Sequence, residues 1–137
     1  MSDQGELFEQ GNLYRDEFIS AASLLAFDRF VRFHNENVFV YRRYSAIAFE
    51  AIQSGADYLG SKAIWERLRL DIIKSTSEPN ARAVNPDTNK RFKLCNDYTP
   101  YYARLWVYRN PKFKGKFRKR SSMADDISES NFLAACR

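Results

Sequence analysis

The chain has 137 residues, of which 45% are hydrophobic and 15% aromatic, and it carries a formal charge of +5. That length suits one domain, and that apolar share can build a core without staples, which argues against disorder along the whole chain. Two distant cysteines, Cys95 and Cys136, and a lone histidine, His34, leave neither a disulfide framework nor a zinc ligand set.

The charge is unevenly placed. Residues 1–20 hold Asp3, Glu6, Glu9, Asp16 and Glu17 against Arg15, a local balance of −4. Residues 76–120 hold twelve bases against Glu78, Asp87 and Asp97, a local balance of +9. A field concentrated in this way favours polyanions over a neutral partner, although a charge run also serves as an ordinary solvated face. The opening residues show no apolar signal region, and no run reaches membrane-spanning length. The expected location is therefore the cytoplasm, with no membrane partner.

In chain order, the acidic arm over 1–20 is weakly patterned. A helix is predicted over 21–35, where Leu24, Phe27, Val31 and His34 follow three- and four-residue steps and Arg29 and Arg32 fall on the other side. A second helix is predicted over 38–54, capped by Asn37 and ended by Gly55, with Val40, Tyr44, Ile47, Ala48 and Ala51 on one face. A third starts at Ser61 as cap and runs to about Ser75, with Ile64, Trp65, Leu68 and Ile72 as its apolar face. Residues 77–91 read as a polar loop, in which 82–84 and 91–94 can pair as a short hairpin around Asn85–Asn89. A fourth helix begins near Thr99 as cap, with Pro100 in the first turn, and stops at Asn110-Pro111.

The run from Lys112 to Arg120 follows, in which lysine and phenylalanine alternate, and then a polar tail with an apolar patch over 132–136. The expected organisation is an acidic arm (1–20), a helical core domain (21–111), and a basic segment with a polar C-terminal tail (112–137). The expected fold is mainly α, a small helical domain with a short β-hairpin. Three short helices and a hairpin are the ingredients of winged-helix and helix-turn-helix domains, although here the hairpin precedes the last helix.

Candidate contacts cluster late in the chain. Arg91, Lys93, Asn96, Tyr98, Tyr101 and Arg104 surround a predicted helix start, where free backbone amides suit a phosphate. Asn96 and Arg104 have the donors that read base edges, and Tyr98 and Tyr101 can stack on bases or simply pack. Lys112, Lys114, Lys116, Arg118, Lys119 and Arg120 can clamp phosphates. Tyr102, Leu105 and Trp106 read as core. No phosphate-cradling glycine loop, GxSxG or HExxH is present, so no enzyme, metal or cofactor is expected; His34 reads as a core histidine.

Several segments carry a resemblance. Phe30-Val31-Arg32-Phe33-His34-Asn35-Glu36-Asn37, the helix Ser61-Lys62-Ala63-Ile64-Trp65-Glu66-Arg67-Leu68-Arg69, and the stretch Phe92-Lys93-Leu94-Cys95-Asn96-Asp97-Tyr98-Thr99-Pro100-Tyr101-Tyr102-Ala103-Arg104-Leu105 are similar to a group of small uncharacterised phage and prophage proteins. The resemblance spans about residues 30–110. Cys95 stands where that group has asparagine, and the segment around 81–90 is longer. The resemblance implies a phage origin in a bacterial host and roles in phage gene control, DNA handling or countering host defence. The expected function is nucleic-acid binding through a basic aromatic surface, to DNA first and RNA second. The alternative is a protein-binding inhibitor of a host nucleic-acid or defence enzyme.

Overall fold

The computed structural model describes residues 19–74, 83–118 and 120–137. Helix α1 (Ala21–Glu36) is followed by α2 (Val38–Gln53) and α3 (Ser61–Lys74). Strands β1 (Ala83–Val84) and β2 (Arg91–Phe92) pair antiparallel, with Ala83 opposite Phe92 and Val84 opposite Arg91. Helix α4 (Thr99–Arg109) and the short α5 (Glu129–Ala135) complete the chain, joined by single 3-10 turns at Asn96–Tyr98, Pro111–Phe113 and Met123–Asp126. The mainly helical expectation with one short hairpin is met. The acidic segment 1–18 lies outside the described residues.

Helix α4 is the central element, packed against α2, α3 and α5. Its face Tyr101, Tyr102, Leu105 and Trp106 is buried. Around it close Phe30 of α1, Tyr44 of α2 and Trp65 and Leu68 of α3, all fully buried. Burying each such side chain contributes about 1.5–3 kcal/mol, so this cluster is the main source of stability. The apolar spacing of α3 works as predicted, with Ile64, Trp65, Leu68 and Ile72 all inside. In α1 the buried line is Ser23, Phe27, Phe30, Phe33 and His34, while Leu24 and Leu25 face solvent. Ser20 caps that helix, its hydroxyl accepting from the Ser23 amide at 3.1 Å.

The division between a core ending at 111 and a polar tail does not hold physically. Phe113 and Phe117 pack on the core, and Ala124, Ile127, Phe132 and Cys136 are part of it. Phe132 meets Phe27 edge-on at a centroid distance of 5.0 Å. The 132–136 patch is thus the buried side of α5, whose N-terminus is capped by Ser128.

Three expected caps have other work. Asn37 makes no cap bond to α2; its side chain donates to the Phe33 carbonyl at 3.0 Å. The Ser61 hydroxyl donates to the Thr99 carbonyl at 2.6 Å, which leaves it to accept from the Tyr44 hydroxyl, also at 2.6 Å. One half-buried serine therefore ties α2, α3 and the start of α4. Thr99 is the first residue of α4 and bonds back to the Asn96 carbonyl at 3.1 Å. Gly55 does end α2 as predicted, at φ +93°, a conformation that disfavours any side chain.

Candidate nucleic-acid interface

The hairpin is fixed to the end of α1 by one buried side chain. The Asn85 amide donates to the Glu36 carbonyl at 2.8 Å and to the Asn37 side-chain oxygen at 2.9 Å. Its own oxygen accepts from the Asp87 amide at 2.8 Å and so shapes the turn. Beneath, Phe92 of β2 packs against Phe33 and Phe39 at 6.0 and 5.4 Å. These contacts set β2 alongside the polar face of α1 and open a depression of about 610 Å³ between them.

The walls of this depression are cationic: Arg29 and Arg32 from α1, Lys90 and Arg91 from the hairpin, and Arg137. Glu36 is the one acid among its lining residues. Among the described residues, none of the five bases is in an ion pair. Its floor is aromatic, with Tyr98 stacked on Phe33 at 4.7 Å. Burial raises the Tyr98 phenol above its ordinary pKa, so it remains a neutral ring and donor at physiological pH. Arg137 reaches this place because its backbone is held. Its amide donates to the Asn35 side chain at 2.9 Å, and its carbonyl accepts from His34 Nε2 at 2.8 Å.

A second depression, about 600 Å³, shares Arg29 and Tyr98 with the first. It extends past Asn96 and Asp97 to Pro100, Ser122 and Met123. A third, about 460 Å³, shares Pro100 and Ser122 with the second and is lined by Lys62, Arg118 and Arg120. The three form one band around the start of α4, basic at both ends.

The structure brings some expected contact residues together on this band. Arg91, Asn96, Tyr98, Tyr101, Arg104, Arg118 and Arg120 line it. Asn96 presents its amide nitrogen, because its oxygen already accepts from Arg69 at 2.7 Å. Lys93 is exposed just after β2. Lys112 and Lys114 are exposed beside Asp57 and Tyr58, in a separate shallow depression. Lys116 is half-buried and donates to the Ala56 carbonyl at 3.3 Å. Lys119 lies outside the described residues. Phe113 stacks on Trp106 at 5.6 Å and Phe117 meets it edge-on at 5.8 Å, while Lys112, Lys114 and Arg118 face out. The Leu59 amide donates to the Lys116 carbonyl at 2.8 Å and pins the run to the segment before α3.

Two expected contacts line the band but are also committed to the fold. Tyr101 is a core residue, 4% exposed and stacked on Phe30 at 5.1 Å. Its place in the first turn of α4 points the ring inward. Arg104 is committed to the fold: it pairs with Asp125 at 2.6 Å and donates to the carbonyls of Pro100 and Arg120 at 2.8 and 3.1 Å. Sequence reasoning had in turn passed over Arg29, Arg32, Lys62, Lys90 and Arg137. The i, i+3 spacing of Arg29 and Arg32 on the polar side of α1 was a readable signal; the position of Arg137 was not, since it depends on contacts about a hundred residues away.

No family model, curated protein or solved structure matches this chain. The functional reading therefore rests on geometry.

The His34 ring is fully buried, with Nε2 donating to the Arg137 carbonyl and Nδ1 facing the Tyr102 hydroxyl at 3.4 Å. Burial lowers its pKa, so the ring is a neutral structural link. The buried Cys136 thiol is pushed up to about 11 by desolvation, which suppresses the thiolate. Among the described residues there is no group of three or more His, Cys, Asp or Glu able to hold a metal, and no helix long and apolar enough to cross a membrane.

Proposed function

We infer that this protein binds nucleic acid along the band around the start of α4. The observation that carries the reading is the groove between α1 and the hairpin, where five bases and one acid surround an aromatic floor. Structural arginines are normally paired, as Arg67, Arg69 and Arg104 are here. Cations with no ion pair among the described residues, converging from three distant parts of the sequence, suit an external anion with spaced charges. Arg29, Arg32 and Arg91 offer planar donors to phosphate oxygens, and Tyr98 offers an edge against sugar or base. A docked hairpin beside a helix is also how winged-helix domains place a wing on the backbone. A phage origin, which the sequence resemblance implies, would put such binding in gene control or DNA handling.

The exposed Leu25 and Met123 on the same band favour a second reading, a module that blocks an acidic, partly apolar site on a host nucleic-acid or defence enzyme. Binding to short single strands and duplexes, titrated with salt, tests the first reading. Affinity that falls steeply with salt supports it, and undetectable binding at low salt ends it. Capture of a host protein that survives nuclease treatment would favour the second.

A further inference from the structure

The middle depression of the band differs in kind from its neighbours. Its walls are largely apolar, made by Ala22, Leu25 and Ala26 of α1 with Pro100 and Met123 opposite. Its volume of about 600 Å³ falls within the range of small-ligand sites. Besides Arg29 and Tyr98 at the edge it shares with the first depression, its polar groups are the Asn96 amide, the Asp97 carboxylate and the Ser122 hydroxyl. Tyr101 also lines it, and the Tyr101 hydroxyl is buried with no hydrogen-bond partner among the described residues. Burying a hydroxyl without a partner costs free energy, and a ligand atom that pairs with it recovers that cost.

We propose that this depression is the seat of one unstacked nucleobase of a bound single strand, a proposal that rests on the nucleic-acid reading above. The depression lies between two basic ones, joined to the first through Arg29 and Tyr98 and to the other through Pro100 and Ser122. A strand whose phosphates occupy both must cross it. Asp97 disfavours a phosphate at this point but accepts from an exocyclic amine, and the Asn96 amide donates to a ring nitrogen or carbonyl. The flat apolar walls take the base faces, and Leu25, 62% exposed in the free protein, gains cover. For a base edge to reach the buried Tyr101 hydroxyl the lining must give way, and Met123 of the same wall, unbranched and half-exposed, is able to do so.

The test compares two probes on wild type and Tyr101→Phe: an oligonucleotide of about ten residues and an abasic strand of equal length, each in deoxy and ribo form at low salt. Phenylalanine keeps the ring and its stacking on Phe30 while removing the unpaired hydroxyl. Wild type is expected to prefer the intact strand by about tenfold. Tyr101→Phe is expected to shrink that preference roughly three- to tenfold. Its affinity for the abasic strand should stay unchanged, and its melting temperature should be equal or higher. Asp97→Asn, at an exposed position, is expected to shrink the preference for amine-bearing bases in the same assay. A preference unchanged in both variants, or an equal loss on the abasic strand, overturns the base seat. Equal wild-type affinity for the two probes also overturns it while leaving nucleic-acid binding intact. No binding of either probe overturns both.

Discussion

The Asn85 side chain donates to the Asn37 side-chain oxygen across 2.9 Å, in the interior, and so joins the hairpin turn to the junction of α1 and α2. The pair decides where the cations of the hairpin stand relative to those of α1. Asn85→Ala would leave the Asn37 oxygen, the Glu36 carbonyl and the Asp87 amide without this partner. The expected loss is about 2–3 kcal/mol in urea denaturation. Nucleic-acid affinity should fall as well, because Lys90 and Arg91 lose their register.

The groove makes a quantitative salt prediction. If its five bases each neutralise one phosphate of a single strand, the slope of log affinity against log salt is about −3.5. The double variant Arg29→Ala/Arg32→Ala should flatten that slope by about 1.4 without lowering the melting temperature, since neither side chain is in an ion pair among the described residues. A double variant at Lys112 and Lys114, in the separate depression, should change it less. Equal effects from the two pairs would mean that binding is not centred on the groove.

Arg104 should show the opposite pattern. Arg104→Ala removes the Asp125 pair and the donors to the Pro100 and Arg120 carbonyls. Thermal melting should register a loss of about 1 kcal/mol, with the salt slope nearly unchanged. A flattened slope with unaltered stability would instead make Arg104 a direct phosphate contact.

His34 sets a pH dependence. Its pKa is lowered from 6.5 first by burial, partly offset by the bond to the Arg137 carbonyl, and lowered further by the nearby Arg109 charge. The unfolded chain therefore binds a proton more readily than the folded one. Stability is fully present above about pH 6.5 and is lost as pH falls below it. Because His34 is the only histidine, denaturation between about pH 7 and 5.5 reads this group before the carboxylates titrate. His34→Gln should remove most of the slope in that window; a slope that persists would assign it elsewhere.

Truncation tests the boundary between core and tail. A variant ending at Asp126 would lose Ile127, Phe132 and Cys136 from the core, together with the contacts of Asn35 and Arg109 to residues 135–137. Each buried apolar side chain removed costs about 2–5 kcal/mol, comparable with the stability of a whole domain. The variant should lack a cooperative melting transition. A sharp transition would make 127–137 an appendage to the fold.

Local chemistry along the chain dictates the helices and most of their inner faces. Ile64, Trp65, Leu68 and Ile72 recur at the helical period, Gly55 ends its helix, and Pro100 opens the next, all from interactions within a few residues. The concentration of positive charge in the second half of the chain, and the inward phenylalanines among outward lysines, were equally readable. Which polar groups are left for a partner follows from long-range packing. Arg104 and Tyr101 look like surface contacts until Asp125 and Phe30 arrive from elsewhere in the chain. Arg29 and Arg137 become neighbours of Arg91 only once Asn85, Asn35 and His34 have made their long-range bonds. Local periodicity reports the direction a side chain faces on its own helix, whereas a binding surface depends on what the rest of the chain brings opposite it.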